Sequence, residues 1–312
     1  MASAIISTSG LIYHYSKAVQ TLHDINLQVD HGSIYGFLGP NGSGKTTTLS
    51  LILGLLKNQQ GSIKIFDRDL DSNRCDILKK IGSLIEAPSL YGHLTAKENL
   101  EIYRSVYNVS KSRVDEVLRI VGLGDTKTKT VKSFSLGMRQ RLAISLALLP
   151  DPELLILDEP SNGLDPGGII ELRQLIKRLN KECGMTVVIS SHLLGEVEKM
   201  VSHVGIIYKG SMLFQGTLSD LHIMQQKGAK VVINTSDNHK AIRVLNGHLA
   251  ESSDGHLTVP FRNFSQVAAI NRLLTAADLD VFMLHPKIQS LEQLFIDLTS
   301  DQTHTLMRQA SA

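Results

Sequence analysis

The sequence predicts an α/β protein in which a parallel sheet is covered by helices, followed by a small α+β domain. Three segments, Gly32–Leu38, Leu154–Leu157 and Thr186–Ser190, are apolar and of strand length. Each is followed by a polar or helical segment. Because parallel strands need helical crossovers and are buried on both faces, this alternation favours a parallel sheet with helices on each side.

The region Ala87–Leu149 predicts helices inserted into this α/β core. Thr95 and Glu98 have the capping-box spacing, in which the hydroxyl and the carboxylate each bond an otherwise unpaired amide at a helix start. We therefore expect a helix over Ala96–Val106. A second run of apolar residues at helical spacing ends at Gly122.

The character of the chain changes near residue 227. Its elements then follow the order strand, helix, two strands, helix, strand, which suggests a small ferredoxin-like domain. We place the first domain at 1–222, this second domain at 227–300 and a disordered tail at 301–312. The predicted segments are Lys230–Asn234, Asn238–Leu245, the hairpin Leu249–Phe261, Gln266–Ala276, Asp280–Leu284 and a final helix Leu291–Leu298.

The composition indicates a globular protein without a nucleic-acid partner. Hydrophobic residues make up 42% of the 312 residues, and the net charge of +2 is scattered, whereas nucleic-acid binders cluster Lys and Arg. Cys75 and Cys183 form no C-x-x-C pair, so a disulfide framework or zinc site is not expected and a reducing cytosol is favoured. No window approaches the roughly 18 apolar residues of a membrane-spanning helix.

A glycine loop lies between the first strand and an apolar helical stretch, Leu49–Leu56. Its pattern Gly39-x-x-x-x-Gly44-Lys45-Thr46 is a Walker A motif, in which backbone amides surround phosphates at a helix N-terminus. We expect Lys45 to neutralise phosphate charge and Thr46 to place its hydroxyl on Mg2+. A plain glycine turn is the alternative, but the strand before the loop and the helix after it favour phosphate binding.

Two acids, Asp158 and Glu159, follow the strand Leu154–Leu157 directly. This position puts their carboxylates at the carboxyl edge of a parallel sheet, where ligands bind. We expect Asp158 to hold Mg2+ through water and Glu159 to polarise the attacking water. Acids often simply end strands, so the interpretation depends on the glycine loop being present as well.

From about Ile5 to Thr217 the chain resembles the nucleotide-binding subunit of ABC transporters. This resemblance implies a P-loop NTPase fold with a parallel sheet core, an N-terminal antiparallel β subdomain and a helical subdomain at about 87–149. It also implies ATP and Mg2+ as ligands. An aromatic residue that stacks on adenine is expected at Tyr15, with Tyr13 as the alternative. The residues expected to bind nucleotide within one chain are Tyr15, Gly39, Pro40, Asn41, Gly42, Ser43, Gly44, Lys45, Thr46 and Thr47.

The resemblance assigns roles to four further residues. Ser135 and Gly137 occupy the place of the family's signature loop. Asp165 fits the loop that crosses the dimer interface, and His192 fits the switch histidine that contacts the γ-phosphate. The resemblance therefore implies that the catalytic residues are Lys45, Glu159 and His192.

Phosphoryl transfer explains why two copies are expected to meet. Its transition state spreads charge over several oxygens, so positive or N–H groups are needed on every side, and one subunit supplies only half of them. Ser135 and the Gly137 amide, at the start of the helix Met138–Leu148, can offer donors to a nucleotide held by the other subunit. An ordinary Ser N-cap is the alternative. We expect a homodimer, or a heterodimer with a similar ATPase, through composite ATP sites.

Two residues depart from the family's usual pattern. Glu86 stands where most members have glutamine, and a carboxylate is a stronger Mg2+ ligand than an amide. Leu136 replaces a glycine of the signature loop. Together with the Glu-Ala-Pro run, these departures resemble the branch that protects bacteria against bacitracin and lantibiotic peptides. The metal ligands expected are Thr46, Glu86 and Asp158.

The resemblance also implies partners and a location. We expect separate transmembrane permease subunits, and peripheral association with the cytoplasmic face of the membrane through them. A soluble ABC ATPase acting on DNA or ribosomes is the alternative, but such proteins carry long heptad insertions or tandem units that this sequence lacks. A small-molecule P-loop kinase would not explain Ser135, Asp165 and His192 occurring together.

Overall fold

The parallel sheet predicted from the three apolar segments is present in the computed structural model, which describes residues 4–16, 19–85, 89–226, 229–245, 251–253 and 256–299. Packing divides the chain into two units, Met1–Leu218 and Ser219–Ala312. Glu86, residues 249–250 and 254–255 of the predicted hairpin Leu249–Phe261, and the tail 301–312 lie outside the described residues.

The first unit begins with four strands and then combines helices with further strands. Its strands are β1 Ala4–Ser16, β2 Val19–Ile25, β3 Gln28–Asp30, β4 Ile34–Leu38, β5 Gln60–Ile65, β6 Arg68–Asp69, β7 Ile81–Leu84, β8 Leu154–Leu157, β9 Thr186–Ser191, β10 His203–Tyr208 and β11 Ser211–Thr217. Its helices are α1 Lys45–Ile52, α2 Leu70–Leu78, α3 Ala96–Tyr107, α4 Lys111–Ile120, α5 Leu136–Leu148, α6 Pro166–Cys183 and α7 Leu194–Val197, with a 3-10 turn at Val131–Ser133.

Six of these strands form the central sheet in the order β11-β10-β4-β9-β8-β7. All its neighbouring pairs are parallel except β10 with β11. Every residue of β4, β8 and β9 is buried, as expected for strands covered on both faces. Strand β4 begins later than predicted because Gly32 adopts a left-handed φ of +70° in the preceding turn.

A second, antiparallel sheet has the order β2-β1-β5-β6, with β3 also paired to β1. The two sheets share one apolar core, to which the parallel sheet contributes Tyr35 and Phe37, and the antiparallel sheet contributes Ile6 and Ile65. Leu49 of α1 belongs to the same core. The helix that follows the glycine loop is therefore anchored between the two sheets, and the predicted N-terminal antiparallel β subdomain is confirmed.

Helix α1 occupies different residues from those predicted at Leu49–Leu56. It begins at Lys45, directly after Gly44, whose φ of 109° few side chains tolerate, and it ends at Ile52. Gly54 then takes a φ of +62°, so its left-handed backbone breaks the helix. The prediction was wrong at both ends because it followed the apolar residues instead of the two glycines.

The predicted helical insertion consists of α3, α4, the 3-10 turn and α5. Its capping box is present: the Glu98 amide donates to Thr95 Oγ1 at 3.2 Å, and the Thr95 amide donates to Glu98 Oε2 at 2.8 Å. Donation by the Thr95 amide and hydroxyl holds the pKa of Glu98 below its usual value. Helix α5 begins at Leu136, with Ser135 as its N-cap.

The second unit follows the strand and helix order predicted for it. Its sheet has the order β13-β14-β12-β15, and each neighbouring pair is antiparallel. This is the ferredoxin-like order, with Val231 and Ile233 of the sheet packed in one core with Ile270 and Leu274. The elements are α8 Leu218–Gln226, β12 Lys230–Thr235, α9 Asn238–Val244, β13 Glu251–Ser253, β14 His256–Pro260, α10 Phe264–Ala276, β15 Val281–Lys287 and α11 Leu291–Thr299.

None of the helices within the described residues combines the length and the apolar character needed to cross a bilayer.

Candidate nucleotide-binding site

Three neighbouring strands of the central sheet end at one edge and carry the predicted catalytic segments. Strand β4 leads into the glycine loop, β8 into Asp158 and Glu159, and β9 into His192. Because β9 lies between β4 and β8 in the sheet, these segments meet although they are far apart in sequence. The carboxyl edge of a parallel sheet is where α/β proteins bind ligands.

Lys45 is a buried cation at the centre of this edge, with only 5% of its surface exposed. Its Nζ donates to the carbonyl oxygens of Gly39 at 2.8 Å and Pro40 at 3.2 Å. The same atom lies 3.2 Å from Glu159 Oε1. The lysine therefore links the glycine loop to the acid at the end of β8, which joins the two motifs predicted separately.

Asp158 is tied to the start of α1. Thr46 Oγ1 donates to Asp158 Oδ2 at 2.6 Å, so two of the three expected Mg2+ ligands are direct neighbours. Hydroxyl and carboxylate oxygens are ligands that Mg2+ prefers, and this ion usually takes one or two protein carboxylates together with phosphates and waters. Within the described ranges no group of three or more His, Cys, Asp and Glu could hold a metal. Thr46 and Asp158 fit a metal shared with a nucleotide, and Glu86 lies outside the described residues.

Ser190 contacts both acids at the end of β8 and was not among the residues predicted from the sequence. Its hydroxyl donates to Asp158 Oδ1 and accepts a hydrogen bond from the Glu159 amide at 2.8 Å. The side chain is completely buried in β9. One hydroxyl therefore orients both acids, and the only signal in the sequence is a polar residue at the end of an apolar strand.

Glu159 also contacts His192, through a 2.8 Å separation between Oε2 and the Nδ1 atom of the histidine. The backbone of Glu159 has a φ of 47°, in the left-handed region that non-glycine residues seldom adopt. Strain of this kind occurs where the surrounding structure fixes a residue for function. Lys45, Glu159 and His192, the three predicted catalytic residues, thus form one contiguous chain of contacts.

The glycine loop has room and donors for phosphate. Ser43 Oγ is buried and has no hydrogen-bond partner in the described part of the chain. A Cβ atom at Gly39 would lie 2.4 Å from the carbonyl oxygen of Ile207, so the loop can take its path only with glycine there. At Gly42, with a φ of +76°, a Cβ would face open space. An unpartnered buried hydroxyl beside an open loop suits an anionic ligand.

The two candidate adenine-stacking residues differ in exposure. Tyr15 is 63% exposed, and its hydroxyl lies 3.3 Å from Thr47 Oγ1 at the start of α1. Tyr13 is only 8% exposed and packs edge-on against Tyr15, with ring centroids 5.0 Å apart. A ring must be accessible to stack on a base, so this geometry favours Tyr15 over Tyr13.

The residues expected to serve a second copy lie at two helix N-termini. Ser135 Oγ accepts from the Met138 amide at 3.2 Å as the N-cap of α5. Asp165 Oδ1 accepts from the Gly168 amide at 3.0 Å as the N-cap of α6. Both side chains are exposed, so their ordinary capping role leaves them accessible from outside the chain.

The fold and this site define a P-loop ATPase, and comparison with known proteins identifies the family. A family model described as ABC transporter matches residues 22–162. The bacitracin transport ATP-binding protein BcrA of Bacillus licheniformis is 42% identical over 307 residues, covering 96% of this chain and 99% of that protein. The lantibiotic transport ATP-binding protein SrtF of Streptococcus pyogenes is 45% identical over 194 residues, covering 62% of this chain and 83% of that protein.

Solved structures agree with this. CbiO1 of Clostridium perfringens, part of the ABC transporter complex cbiONQ, has a TM-score of 0.65 and 27% identity, covering 79% of this chain and 96% of that one. A dimeric ATP-binding cassette with ADP and Pi bound has a TM-score of 0.60 and 27% identity, covering 68% of this chain and 98% of that one. The chain belongs to the ATP-binding proteins of ABC transporters, which confirms the predicted fold class and an ATPase coupled to transport.

Proposed function

We propose that this chain powers a membrane exporter that expels antimicrobial peptides of the bacitracin or lantibiotic type. The proposal is supported by relatives named for bacitracin and lantibiotic transport, one of which matches 96% of the chain. In this proposal a separate permease crosses the membrane and carries the substrate specificity. The ATPase associates peripherally with the cytoplasmic face of the membrane through that permease.

The contacts around Lys45 and Asp158 carry the chemical part of the proposal. Lys45 neutralises the phosphates, while the loop amides and the Ser43 hydroxyl hold their oxygens. Glu159 accepts the proton of the attacking water, and His192 holds Glu159 and contacts the γ-phosphate. Thr46 and Asp158 would hold a Mg2+ ion, which would supply positive charge to neutralise the phosphates.

A second copy of the chain completes the site. Ser135, Gly137 and Asp165 lie at or beside helix N-termini, where partial positive charge and free amides favour anions. The capping bonds of Ser135 and Asp165 leave these two side chains exposed, so they can face a nucleotide held by the Lys45 loop of the partner. Two such composite ATP sites form in a head-to-tail pair, and closure of the pair transmits the energy of ATP to the permease.

Resistance in cells tests the substrate class. The chain and the membrane proteins encoded beside its gene are expressed together in a host bacterium that is sensitive to bacitracin and to a lantibiotic. The same membrane proteins expressed with the Glu159→Gln variant are the matched inactive control. We expect the wild-type chain, expressed with its membrane proteins, to raise the inhibitory concentration of at least one peptide. The control should leave both inhibitory concentrations unchanged. If the wild type and the control give equal sensitivity to both peptides, these peptides are not the substrates.

Glu86 is proposed as a further metal ligand that also senses the permease. Glu86→Gln replaces a charged oxygen ligand by a neutral one of the same size. We expect it to reduce resistance in cells more than it reduces hydrolysis by the isolated ATPase. Equal resistance of the variant and the wild type would rule out this transmission role.

A further inference from the structure

Leu136 is a large apolar side chain at the start of α5, and it makes a contact that a glycine could not make. It is the first residue of α5 and is 51% exposed. Its Cδ2 atom lies 3.2 Å from the place that a Cβ of Gly163 would occupy. Gly163 has a left-handed φ of +76°, in the loop that leads to Asp165. The leucine therefore covers the turn of this loop.

The backbone beside Leu136 also approaches this loop closely. A Cβ at Gly137 would lie 3.9 Å from Gly168 Cα and 4.0 Å from Leu164 Cδ2. These are ordinary van der Waals distances, so the first turn of α5 lies close to the first turn of α6. Because Gly168 also donates its amide to Asp165, the first turn of α5 packs against the residues that fix Asp165.

We propose that Leu136 is a positioning residue for ATP hydrolysis, which holds the loop Ser161–Asp165 against α5 so that Ser135 and Asp165 form one rigid surface. The inference rests on the proposed function, since that surface acts on the nucleotide held by a second copy. Leu136 need not touch the reacting atoms, because it acts through its neighbours. A glycine at this position, as the family's usual pattern has it, would leave Gly163 without this cover.

The expected kinetic consequence is a loss of turnover without a loss of nucleotide binding. The glycine loop around Lys45 binds the nucleotide of its own chain, whereas Leu136 acts on the nucleotide held by the partner. Binding of ATP to a single chain therefore does not depend on Leu136. Misplacing a catalytic surface by about 1 Å can cost up to about 100-fold in rate. Because packing of one side chain is lost and the loop remains covalently attached, we expect a fall in kcat of about tenfold.

Three variants of the full chain test this. Leu136→Ala removes the contact and keeps a strong helix former at the helix start, whereas Leu136→Met keeps a long apolar side chain that can cover Gly163. Leu55→Ala is the matched control, because Leu55 is 63% exposed and follows α1, outside α5 and the loop Ser161–Asp165. For each variant, kcat and KM for ATP, the Kd of ATP and the melting temperature are measured.

We expect Leu136→Ala to lower kcat about tenfold, with Kd and melting temperature close to wild type, and Leu136→Met to restore kcat. Leu55→Ala should behave as wild type. If Leu136→Ala keeps kcat within about twofold of wild type, or if methionine fails to rescue it, the positioning role is wrong. If the alanine variant does not fold, Leu136→Val is judged by the same criteria.

One further measurement distinguishes an error in the role of Leu136 from an error in the proposed composite ATP site. Glu159→Gln with saturating ATP reports whether composite dimers form at all. If that variant dimerises while Leu136→Ala turns over normally, only the inference about Leu136 is overturned. If Glu159→Gln stays monomeric, the composite site is overturned and the role of Leu136 with it.

Discussion

The two units of this chain both pack helices on a sheet, yet they treat polar groups differently. In the first unit a lysine that is 5% exposed lies among buried strand ends and bonds two carbonyls and Glu159. In the second unit no charged side chain is buried among the described residues, and Asp237 and Asn263 cap their own helices from the surface. Donation by the Lys240 amide holds the pKa of Asp237 below its usual value.

This difference indicates that the first unit contains the reactive site. A buried charge is costly unless it is paired, so it persists where a ligand or a reaction needs it. In the first unit the pairs join distant segments, as with Thr46 and Asp158. The caps of the second unit need only adjacent residues and stabilise local helices.

The largest effect is expected from Glu159→Gln. An amide cannot accept the proton of the attacking water, so ATP turnover should fall about 100- to 1000-fold, while ATP binding is retained because the loop is unchanged. Steady-state hydrolysis and a binding titration measure the two effects. Glu153→Gln, directly before β8, is the control and should hydrolyse normally. Normal hydrolysis by Glu159→Gln would show that another group is the base.

Lys45→Ala should weaken nucleotide binding. It removes charge-assisted hydrogen bonds to phosphate, so the Kd of ATP should rise about 10- to 100-fold. Lys64→Ala, an exposed lysine on β5, provides the comparison and should leave the Kd unchanged. An equal affinity in wild type and Lys45→Ala would remove the glycine loop from the binding site.

Ser190→Ala should have a smaller effect on turnover. The change removes the hydroxyl that orients Asp158 and the Glu159 amide, and leaves them without that partner, so kcat should fall about tenfold. Steady-state kinetics measures kcat, and a binding titration should show that Ser190→Ala keeps its affinity for ATP. Ser190→Thr keeps the hydroxyl and should recover part of the loss. If alanine and threonine were equal to wild type, the hydroxyl would have no part in placing the acids.

The smallest effect on hydrolysis is expected from a core substitution in the second unit. Ile233→Val removes one methylene from the fully buried core of that unit and should cost about 1 kcal/mol of its unfolding free energy. Hydrolysis at a temperature where the unit is folded should be unchanged. Denaturant unfolding and ATPase assays check the two statements. A parallel fall in kcat would mean that the second unit takes part in turnover.

The sequence was most informative where chemistry depends on neighbouring residues. The Walker A loop and the pair Asp158 and Glu159 could be placed because each motif has a fixed spacing within one segment. Ser190 was missed because its role depends on β9 lying beside β8, and nothing local in Thr186–Ser191 specifies that neighbour.

Some positions could be ranked only after folding. Tyr13 and Tyr15 are two residues apart on one strand, so the sequence pattern gives both the same position. In the structure Tyr13 is buried and Tyr15 is exposed. The contact of Leu136 with Gly163 crosses between two helix ends, so no spacing rule predicts it. The boundaries of α1 followed glycine conformations, which sequence polarity does not report.

The most direct test is the mass of Glu159→Gln in solution, measured by sedimentation with and without saturating ATP and Mg2+. We predict monomers without nucleotide and dimers with it, and we predict that adding Ser135→Arg, which puts a bulky side chain at the exposed tip of α5, abolishes the dimer while ATP still binds. A chain that remains monomeric with ATP bound, or a dimer indifferent to Ser135→Arg, would contradict the composite site.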